Sequence, residues 1–210
     1  MLKIDFHVHT YYSKCAISSP KEILKTAVNK KLDGLAITDH DTCRGYYKIK
    51  KNKTNLILIP GVEIKTTGGH IIALGVSGEF NPIKTPEETI DMIRDLGGLA
   101  LIPHPFDYLR GGLGLKIKML HSDLIEVYNS GMMTPFGNLI ASRYALKTGC
   151  GTTAGSDAHI AAELGSAYTL VEQGSLDDIL SSIVKNRNPY FGKPSPIHWR
   201  FLRKIRSKFR

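Results

Sequence analysis

Short apolar segments alternate along this chain with segments in which apolar side chains recur at helical spacing. The first of them alternates apolar and polar residues, which is typical of a strand with two different faces. Several of the others are continuously apolar, which is typical of strands buried on both faces. They predict strands at about residues 2–9, 34–38, 56–59, 70–76, 99–102, 124–127 and 152–155.

Signals for helix starts lie between these predicted strands. Residues 19–22 (Ser-Pro-Lys-Glu) supply an N-cap, a proline in the first turn and a capping-box glutamate, and residues 85–88 (Thr-Pro-Glu-Glu) repeat the pattern. Gly97 ends the second of these helices, and further helices are predicted at about residues 136–147 and 175–185. Strands that alternate with helices form parallel βαβ units, so we predict an α/β fold, either a barrel or an open doubly wound sheet.

Length and composition narrow the class of protein further. With 210 residues, 42% of them hydrophobic and 22% charged, the chain has the composition of one folded domain and not of a disordered or fibrous protein. No apolar run approaches the roughly 20 residues that cross a bilayer, and the N-terminus lacks the apolar stretch of a signal peptide, so we expect a cytoplasmic protein. The three cysteines form no CxxC pair, which argues against a disulfide framework.

The basic residues concentrate at the C-terminus. Six of the 28 lysines and arginines fall within residues 198–210, which contain no acidic residue, so most of the net charge of +9 lies there. Trp199, Leu202 and Ile205 recur at three-residue spacing, which predicts a basic amphipathic helix that follows a domain of residues 1–197. Its apolar side either packs against the domain or contacts nucleic acid or an anionic membrane surface.

Histidines and carboxylates cluster at the ends of the predicted strands. Six of the eight histidines lie at a strand end or start, namely His7, His9, His40, His70, His104 and His159. Acidic residues accompany them at Asp39, Glu63, Glu126 and Asp157. Because barrel enzymes collect their catalytic groups at the carboxyl ends of the strands, this distribution favours a barrel over an open sheet.

These residue types point to metal chemistry. Burying so many imidazoles and carboxylates together is unfavourable unless cations or charge pairing compensate. Nitrogen and oxygen ligands without thiolates suit Zn, Mn or Fe, and a bridging carboxylate suits a centre of two or three ions. We therefore expect two or three divalent metal ions per chain at this end of the fold.

Six segments resemble, in order, the motifs of the PHP (polymerase and histidinol phosphatase) superfamily of metal-dependent phosphoesterases. They are DFHVHT (5–10), LAITDHD (35–41), PGVEI (60–64), ALIPHP (100–105), IEVYN (125–129) and AGSDAH (154–159). The resemblance extends from residue 2 to about residue 190. It implies a single-domain, distorted (β/α)7 TIM-like barrel with a di- or trinuclear metal centre at its carboxyl-terminal face.

The same resemblance implies roles for individual residues. One ion would be held by His7, His9, Glu63 and Asp157, a second by Glu63 and His104, and a third by His40 and His159. Hydroxide generated at the metals would attack phosphorus, and either a metal or a protonated histidine, His40 or His159, would stabilise the leaving oxygen. The expected catalytic residues are therefore His40, His159 and Asp157.

Residues 12–16 depart from the family pattern. Lys14 stands where the family commonly places an aspartate, and a charged lysine is not a metal ligand. Cys15 is either a thiolate donor or a small, partly buried residue. A dinuclear centre is therefore an alternative to a trinuclear one.

Three further residues have open roles. His70 either lines the second ion site or is a hydrogen-bonded strand histidine. Glu126 is a ligand or a charge partner, because an unpaired buried carboxylate is costly. Asp39 is expected to orient His40 or a neighbouring histidine.

The function expected from these patterns is hydrolysis of a small phosphomonoester or nucleotide. Arg110 and Arg143 are candidates for binding the substrate phosphate, although each also fits an ordinary surface arginine. Two alternatives stay open. The chain is a nuclease whose basic tail holds single-stranded nucleic acid, or it is a metal-binding barrel without catalytic activity.

Overall fold

The computed structural model describes residues 1–80, 84–132, 134–185, 187–196 and 198–199. Nine strands lie within these ranges: β1 (Leu2–Val8), β2 (Gly34–Ile37), β3 (Ile57–Lys65), β4 (His70–Leu74), β5 (Leu99–Ile102), β6 (Leu124–Asn129), β7 (Gly151–Gly155), β8 (Ala167–Val171) and β9 (Tyr190–Gly192). The same ranges contain five α-helices: α1 (Pro20–Asn29), α2 (Arg44–Lys50), α3 (Pro86–Asp95), α4 (Pro135–Thr148) and α5 (Leu176–Lys185).

The strands form one sheet that curls into a nearly closed barrel. Their order is β7-β6-β5-β4-β3-β2-β1-β8-β9. Just after β7 the chain returns to β1, where the amide of Asp157 donates to the carbonyl of His7 (2.8 Å) and the amide of His9 donates to the carbonyl of Ala158 (2.9 Å). The predicted single-domain α/β barrel is thereby confirmed.

The topology differs from uniform βαβ repeats at β4. A short turn, and no helix, joins β3 to β4, and β4 runs antiparallel to both β3 and β5. The turn closes on Thr66, whose amide donates to the carbonyl of Gly69 (2.8 Å) and whose hydroxyl accepts from the amide of Gly68 (3.1 Å). A connection this short joins only antiparallel strands, so the expectation of parallel units throughout is wrong here.

Three other elements were not expected from the sequence. α2 follows β2, while β8 pairs antiparallel with β1 and β9 extends the sheet from β8. β3 is also longer than the predicted strand, because it continues through Pro60 and Gly61. Glu63 therefore lies inside β3 and not at its end.

Apolar clusters fix the strands that carry the site. Side chains of β1 to β6 pack with α5 in a buried cluster that includes Ile4, Phe6, Ile59, Leu101 and Ile183. Further clusters join α1 and α2 to β1 and β2, and α3 to β3 and β4. Burial of each large apolar side chain contributes on the order of 1.5–3 kcal/mol to the free energy of folding. The packed clusters therefore hold the strand ends in place.

α1 begins with the predicted capping box. The hydroxyl of Ser19 accepts from the amide of Glu22 (3.2 Å), and the carboxylate of Glu22 accepts from the amide of Ser19 (2.7 Å). We expect Ser19→Ala to lower the free energy of unfolding by about 1 kcal/mol, because an amide of the first turn loses its acceptor. Urea denaturation measures the change, with Lys21→Ala in the exposed first turn as the control. Equal midpoints for the two variants would contradict the prediction.

None of the described helices is long and apolar enough to span a bilayer. The predicted tail helix lies, from residue 200 onward, outside the residues that the structure describes. The division at residue 197 and the contacts of the tail therefore stay predictions.

Candidate metal centre

The predicted site residues converge at one end of the barrel. They come from the ends of different strands or from the residues just after them: His7 and His9 at β1, His40 after β2, Glu63 in β3, His104 after β5, Glu126 in β6, and Asp157 and His159 after β7. His70 is the first residue of β4 and pairs in register with Lys65 near the end of β3. Since β4 is antiparallel, its start lies at the edge where its neighbours end.

Four potential donor atoms lie together at the centre of this cluster. The Nε2 atoms of His7 and His9 are 3.1 Å apart. Glu63 Oε2 lies 3.5 Å from the first and 3.2 Å from the second. Asp157 Oδ1 lies 3.6 Å and 3.4 Å from the same two nitrogens. All four side chains are buried.

The hydrogen bonds of the two imidazoles show that this donor set fits a cation. His7 Nδ1 donates to Glu126 Oε1 (3.1 Å). His9 Nδ1 donates to Ser13 Oγ (3.1 Å), because the Ser13 hydroxyl hydrogen is already given to Asp39 Oδ1 (2.7 Å). Both Nε2 atoms therefore face the carboxylates, and two such nitrogens in contact require a proton or a cation between them.

Both oxygens of Glu63 contact histidines. Besides His7 and His9, Oε2 lies 3.3 Å from His40 Nδ1. Oε1 lies 3.0 Å from His70 Nδ1 and 3.1 Å from His104 Nε2. The two oxygens of Glu63 therefore have separate sets of nitrogen neighbours.

A further group of potential donors lies beside the first. Donor nitrogens of His9, His40 and His159 lie within 4.8 Å of one another. His159 Nδ1 donates to the carbonyl of Asp157 (2.9 Å), which leaves its Nε2 for another partner. Cys15 is exposed and belongs to none of the donor groups found among the described residues.

Glu126 is a charge partner of His7 and of the neighbouring backbone. Its Oε1 accepts from His7 Nδ1, and its Oε2 accepts from the amide of His104 (2.7 Å) and from Nδ2 of Asn129 (2.8 Å). Asn129 Nδ2 also contacts Asp157 Oδ2 at 3.2 Å. The sequence contains Asn129 in a motif but gives no indication of these contacts.

Asp39 acts on the histidines through Ser13, a residue that the sequence did not single out. Its Oδ1 accepts from the Ser13 hydroxyl and from the amide of Thr10 (2.7 Å). Burial raises the pKa of Asp39, against the opposing effects of His9 and the hydroxyl groups. The expectation that Asp39 orients a histidine therefore applies to His9, by way of one intervening hydroxyl.

The two candidate arginines lie in different places. Arg110 donates from Nη2 to Asp157 Oδ2 and lines the cavity above the cluster. Arg143 is exposed on α4, and the structure does not bring it to the site. The reason is that α4 packs Ala141 and Ala145 against β6, which directs residue 143 away from the barrel.

A cavity of about 470 Å³ opens onto the cluster. Its lining contains the exposed side chains of Cys15, Lys65 and Leu109 together with Arg110. The remaining side chains of the lining belong to the cluster, namely His40, Glu63, His70, His104, Asp157 and His159. Candidate metal ligands and positively charged side chains therefore line the same cavity.

Opposite charges in this cluster shift the pKa values of its members. Burial alone would raise the pKa of Asp157 and Glu63, but Arg110 and His7 beside Asp157, and His40 and His7 beside Glu63, hold both values well below the usual range. Burial alone would lower the pKa of His7 and His9. The neighbouring carboxylates outweigh burial and raise both values, that of His7 well above its usual range.

The backbone at the site adopts uncommon conformations. His104 and Asp157 have φ angles of 30° and 52°, in the left-handed region that side chains rarely occupy. Such conformations cost free energy and persist only where the surroundings enforce them. Here the contacts of the cluster hold both residues.

Gly155 makes the close approach of β7 to β1 possible. A Cβ at this position would lie against Cβ of His7, 2.8 Å from Glu126 Oε1 and 2.9 Å from the amide nitrogen of His7. We expect Gly155→Ala to lower the free energy of unfolding by about 1–3 kcal/mol through overpacking. Urea denaturation measures this, with Gly78→Ala as the matched control because its Cβ would meet only one atom, at 4.0 Å. Equal losses in the two variants would be the contrary result.

Known proteins share both sequence and fold with this chain. Residues 135–188 match the family model described as PHP-associated. The uncharacterised protein MJ1587 of Methanocaldococcus jannaschii is 36% identical over 158 residues, which cover 70% of this chain and 92% of that protein.

Solved structures at lower identity show the same fold. PsfC from Pseudomonas syringae superposes with a TM-score of 0.73 at 18% identity, over 99% of this chain and 98% of PsfC. A protein from Bifidobacterium adolescentis, assigned as a metal-dependent phosphoesterase, gives a TM-score of 0.62 at 18% identity, over 74% of this chain and 87% of its own. Residues 135–188 thus match a PHP-associated family model, in agreement with the resemblance of the six ordered motifs to the PHP superfamily, and the solved structures share the fold of this chain.

Proposed function

We propose that this chain is a metal-dependent phosphoric ester hydrolase that acts on a small phosphomonoester or nucleotide. The observation that carries the proposal is that Glu63 Oε2 and Asp157 Oδ1 each lie 3.2–3.6 Å from the Nε2 atoms of His7 and His9, which are 3.1 Å apart, beneath an open cavity. The likeness to the Bifidobacterium adolescentis protein, which is assigned to this class of enzyme, supports the same reaction.

The donor groups suggest how two or three cations would be held. His7, His9, Glu63 and Asp157 would bind the first, Glu63 with His104 and His70 the second, and His40 and His159 the third. Nitrogen and carboxylate donors without thiolate suit Zn, Mn or Fe. Glu126 and Asp39 would keep the imidazoles oriented.

Bound cations would supply a water of lowered pKa as the nucleophile and would neutralise charge on the phosphoryl group. Side chains of this protein would bind the phosphate and protonate the leaving oxygen. Arg110, held in place by Asp157, would donate hydrogen bonds to phosphate oxygens. In a dinuclear centre His159 would bind no ion; its Nδ1 is occupied by a backbone carbonyl, and its Nε2 would give a proton to the leaving oxygen, with His40 as the second candidate for this role.

The size of the cavity favours a small substrate. A volume of about 470 Å³ lies within the range of sites that bind small molecules, roughly 300–1,000 Å³. Its positive side chains, Lys65 and Arg110, complement a phosphate group. The basic tail, on which a nucleic-acid substrate would depend, lies mostly outside the described residues, so the cavity is the feature that bears on substrate size.

Hydrolysis assays test the proposal directly. The protein is loaded with Mn or Zn and incubated with p-nitrophenyl phosphate, a panel of nucleotides and labelled single-stranded DNA. We expect phosphate release from at least one small ester, and loss of this activity on chelation. Degradation of DNA without hydrolysis of small esters would indicate a nuclease instead. No response of any substrate to added metal would indicate a barrel without catalytic activity.

A further inference from the structure

Ser13 connects the two loops that follow β1 and β2. Its hydroxyl donates to Asp39 Oδ1 at 2.7 Å. Its oxygen accepts from His9 Nδ1 at 3.1 Å and from the backbone amide of His40 at 3.0 Å. Ser13 is buried, so its bonds to His9 and Asp39 are shielded from water, and its bond to the amide of His40 is partly shielded.

The carboxylate of Asp39 is itself fixed from several sides. Besides Ser13, it accepts from the amide and the hydroxyl of Thr10, each at 2.7 Å. Gly45 of α2 lies so close that a Cβ there would collide with Asp39 Oδ2. Asp39 has no direct hydrogen bond to a histidine ring among the described residues, and Ser13 stands between it and His9.

We propose that Ser13 is a positioning residue for the metal centre. Asp39 fixes the Ser13 hydroxyl, and this hydroxyl in turn fixes the ring of His9 and the backbone of His40. This inference rests on the proposed function, since it concerns how the chain presents ligands to cations. With Nδ1 of His9 committed to Ser13, Nε2 is the atom left for a cation. His40 is held by the same hydroxyl, so one side chain sets ligands of two neighbouring ion positions.

The arrangement at His7 provides a comparison within the same site. His7 Nδ1 is held directly by the carboxylate of Glu126 at 3.1 Å. His9 obtains the equivalent bond from the Ser13 hydroxyl, which stands between its ring and the Asp39 carboxylate. Loss of such a supporting hydrogen bond typically weakens metal binding by about 10- to 100-fold.

The test compares Ser13→Ala with the wild-type chain. We expect zinc affinity, measured by competition with a chromogenic chelator, to fall by about 10- to 100-fold in Ser13→Ala. In zinc-loaded wild-type protein labelled with ¹⁵N-histidine, we also expect a slowly exchanging Nδ1–H signal for His9. The same signal should be broadened by exchange with water in the variant.

Ser18→Ala is the matched control. Ser18 is also buried, and its hydroxyl accepts from the amide of Ala161 at 2.8 Å but makes no hydrogen bond to a histidine ring among the described residues. This variant should retain zinc affinity and the His9 signal. Equal zinc affinity in wild type and Ser13→Ala, or rapid exchange of the His9 Nδ1–H in wild type, would overturn the positioning role alone. Failure of the wild type to bind zinc or manganese would instead overturn the proposed function, and the positioning role with it.

Discussion

Glu63→Gln is expected to reduce kcat/KM for the small ester by about a thousandfold, equivalent to about 4 kcal/mol of transition-state stabilisation. Glu63 is the carboxylate that contacts His7, His9 and His40 with one oxygen and His70 and His104 with the other. The amide keeps the size of the side chain, but it removes the negative charge and places a donor N–H against imidazole nitrogens. Both ions that share Glu63 should therefore bind weakly. Steady-state hydrolysis and metal content after dialysis measure the two effects.

Glu79→Gln makes the same chemical change away from the site. Glu79 pairs with Arg44 on the surface at 3.0 Å, and both side chains are exposed. Surface pairs of this kind contribute at most about 1 kcal/mol, so this control should retain activity and metal. Activity of Glu63→Gln within tenfold of wild type, at full metal content, would show that Glu63 does not bridge the ions.

The sequence was sufficient to predict the barrel because its signals are local. Capping residues such as Ser19 and Thr85 mark helix starts, and continuously apolar runs such as residues 99–102 mark buried strands. Histidines placed after such runs come together because the barrel brings the carboxyl ends of its strands to one edge. The position of most of the candidate site therefore follows from chain order and strand direction.

The antiparallel β4 is less evident from sequence. The apolar run 70–76 fits either strand direction, and only the four-residue turn before it, closed by Thr66 and Gly69, determines that β3 and β4 form a hairpin. This reversal also places His70 at the site, since the start of an antiparallel strand lies at the ends of its neighbours. The direction of β4 therefore decides that His70 lies at the site, which its residue type alone did not determine.

Side-chain networks are the least predictable feature. Ser13 and Asn129 are common residue types in loops and strand ends, and their roles depend on contacts with residues distant in sequence, such as Asp39 and Asp157. Arg143 shows the converse, since its charge suited phosphate but the packing of α4 directs it away from the barrel. The chemistry of a side chain suggests a role, but the packing of its helix or strand decides whether that side chain reaches the site.

Cation binding is expected to stabilise the chain far more at pH 8 than at pH 6. A ligand at about 1,000 times its dissociation constant adds about 4 kcal/mol, and a chain of this size gains about 2–4 °C in Tm per kcal/mol. We therefore expect Mn or Zn to raise Tm by about 10 °C at pH 8. Differential scanning fluorimetry with and without a chelator, at a fixed free metal concentration, measures the gain at each pH.

The direction follows from the pKa shifts of the cluster. Burial lowers the pKa of His7 and His9, but the adjacent carboxylates raise both above the usual histidine value, so at pH 6 the metal-free chain holds a proton between the facing Nε2 atoms of this pair. This protonated pair stabilises the metal-free fold below about pH 6.5, and this contribution is lost as pH rises through the folded pKa values of the pair. Glu63 and Asp157, whose pKa values are lowered, stay ionised throughout this range.

A cation must displace the proton that His7 and His9 share, so its apparent affinity rises with pH while the metal-free reference becomes less stable. Both effects enlarge the gain in Tm between pH 6 and pH 8. His121→Gln, at an exposed histidine outside the cluster, should keep the same pH dependence as wild type. A gain that is equal at both pH values, or larger at pH 6, would mean that the cation does not compete with protons on these two imidazoles and binds elsewhere in the chain.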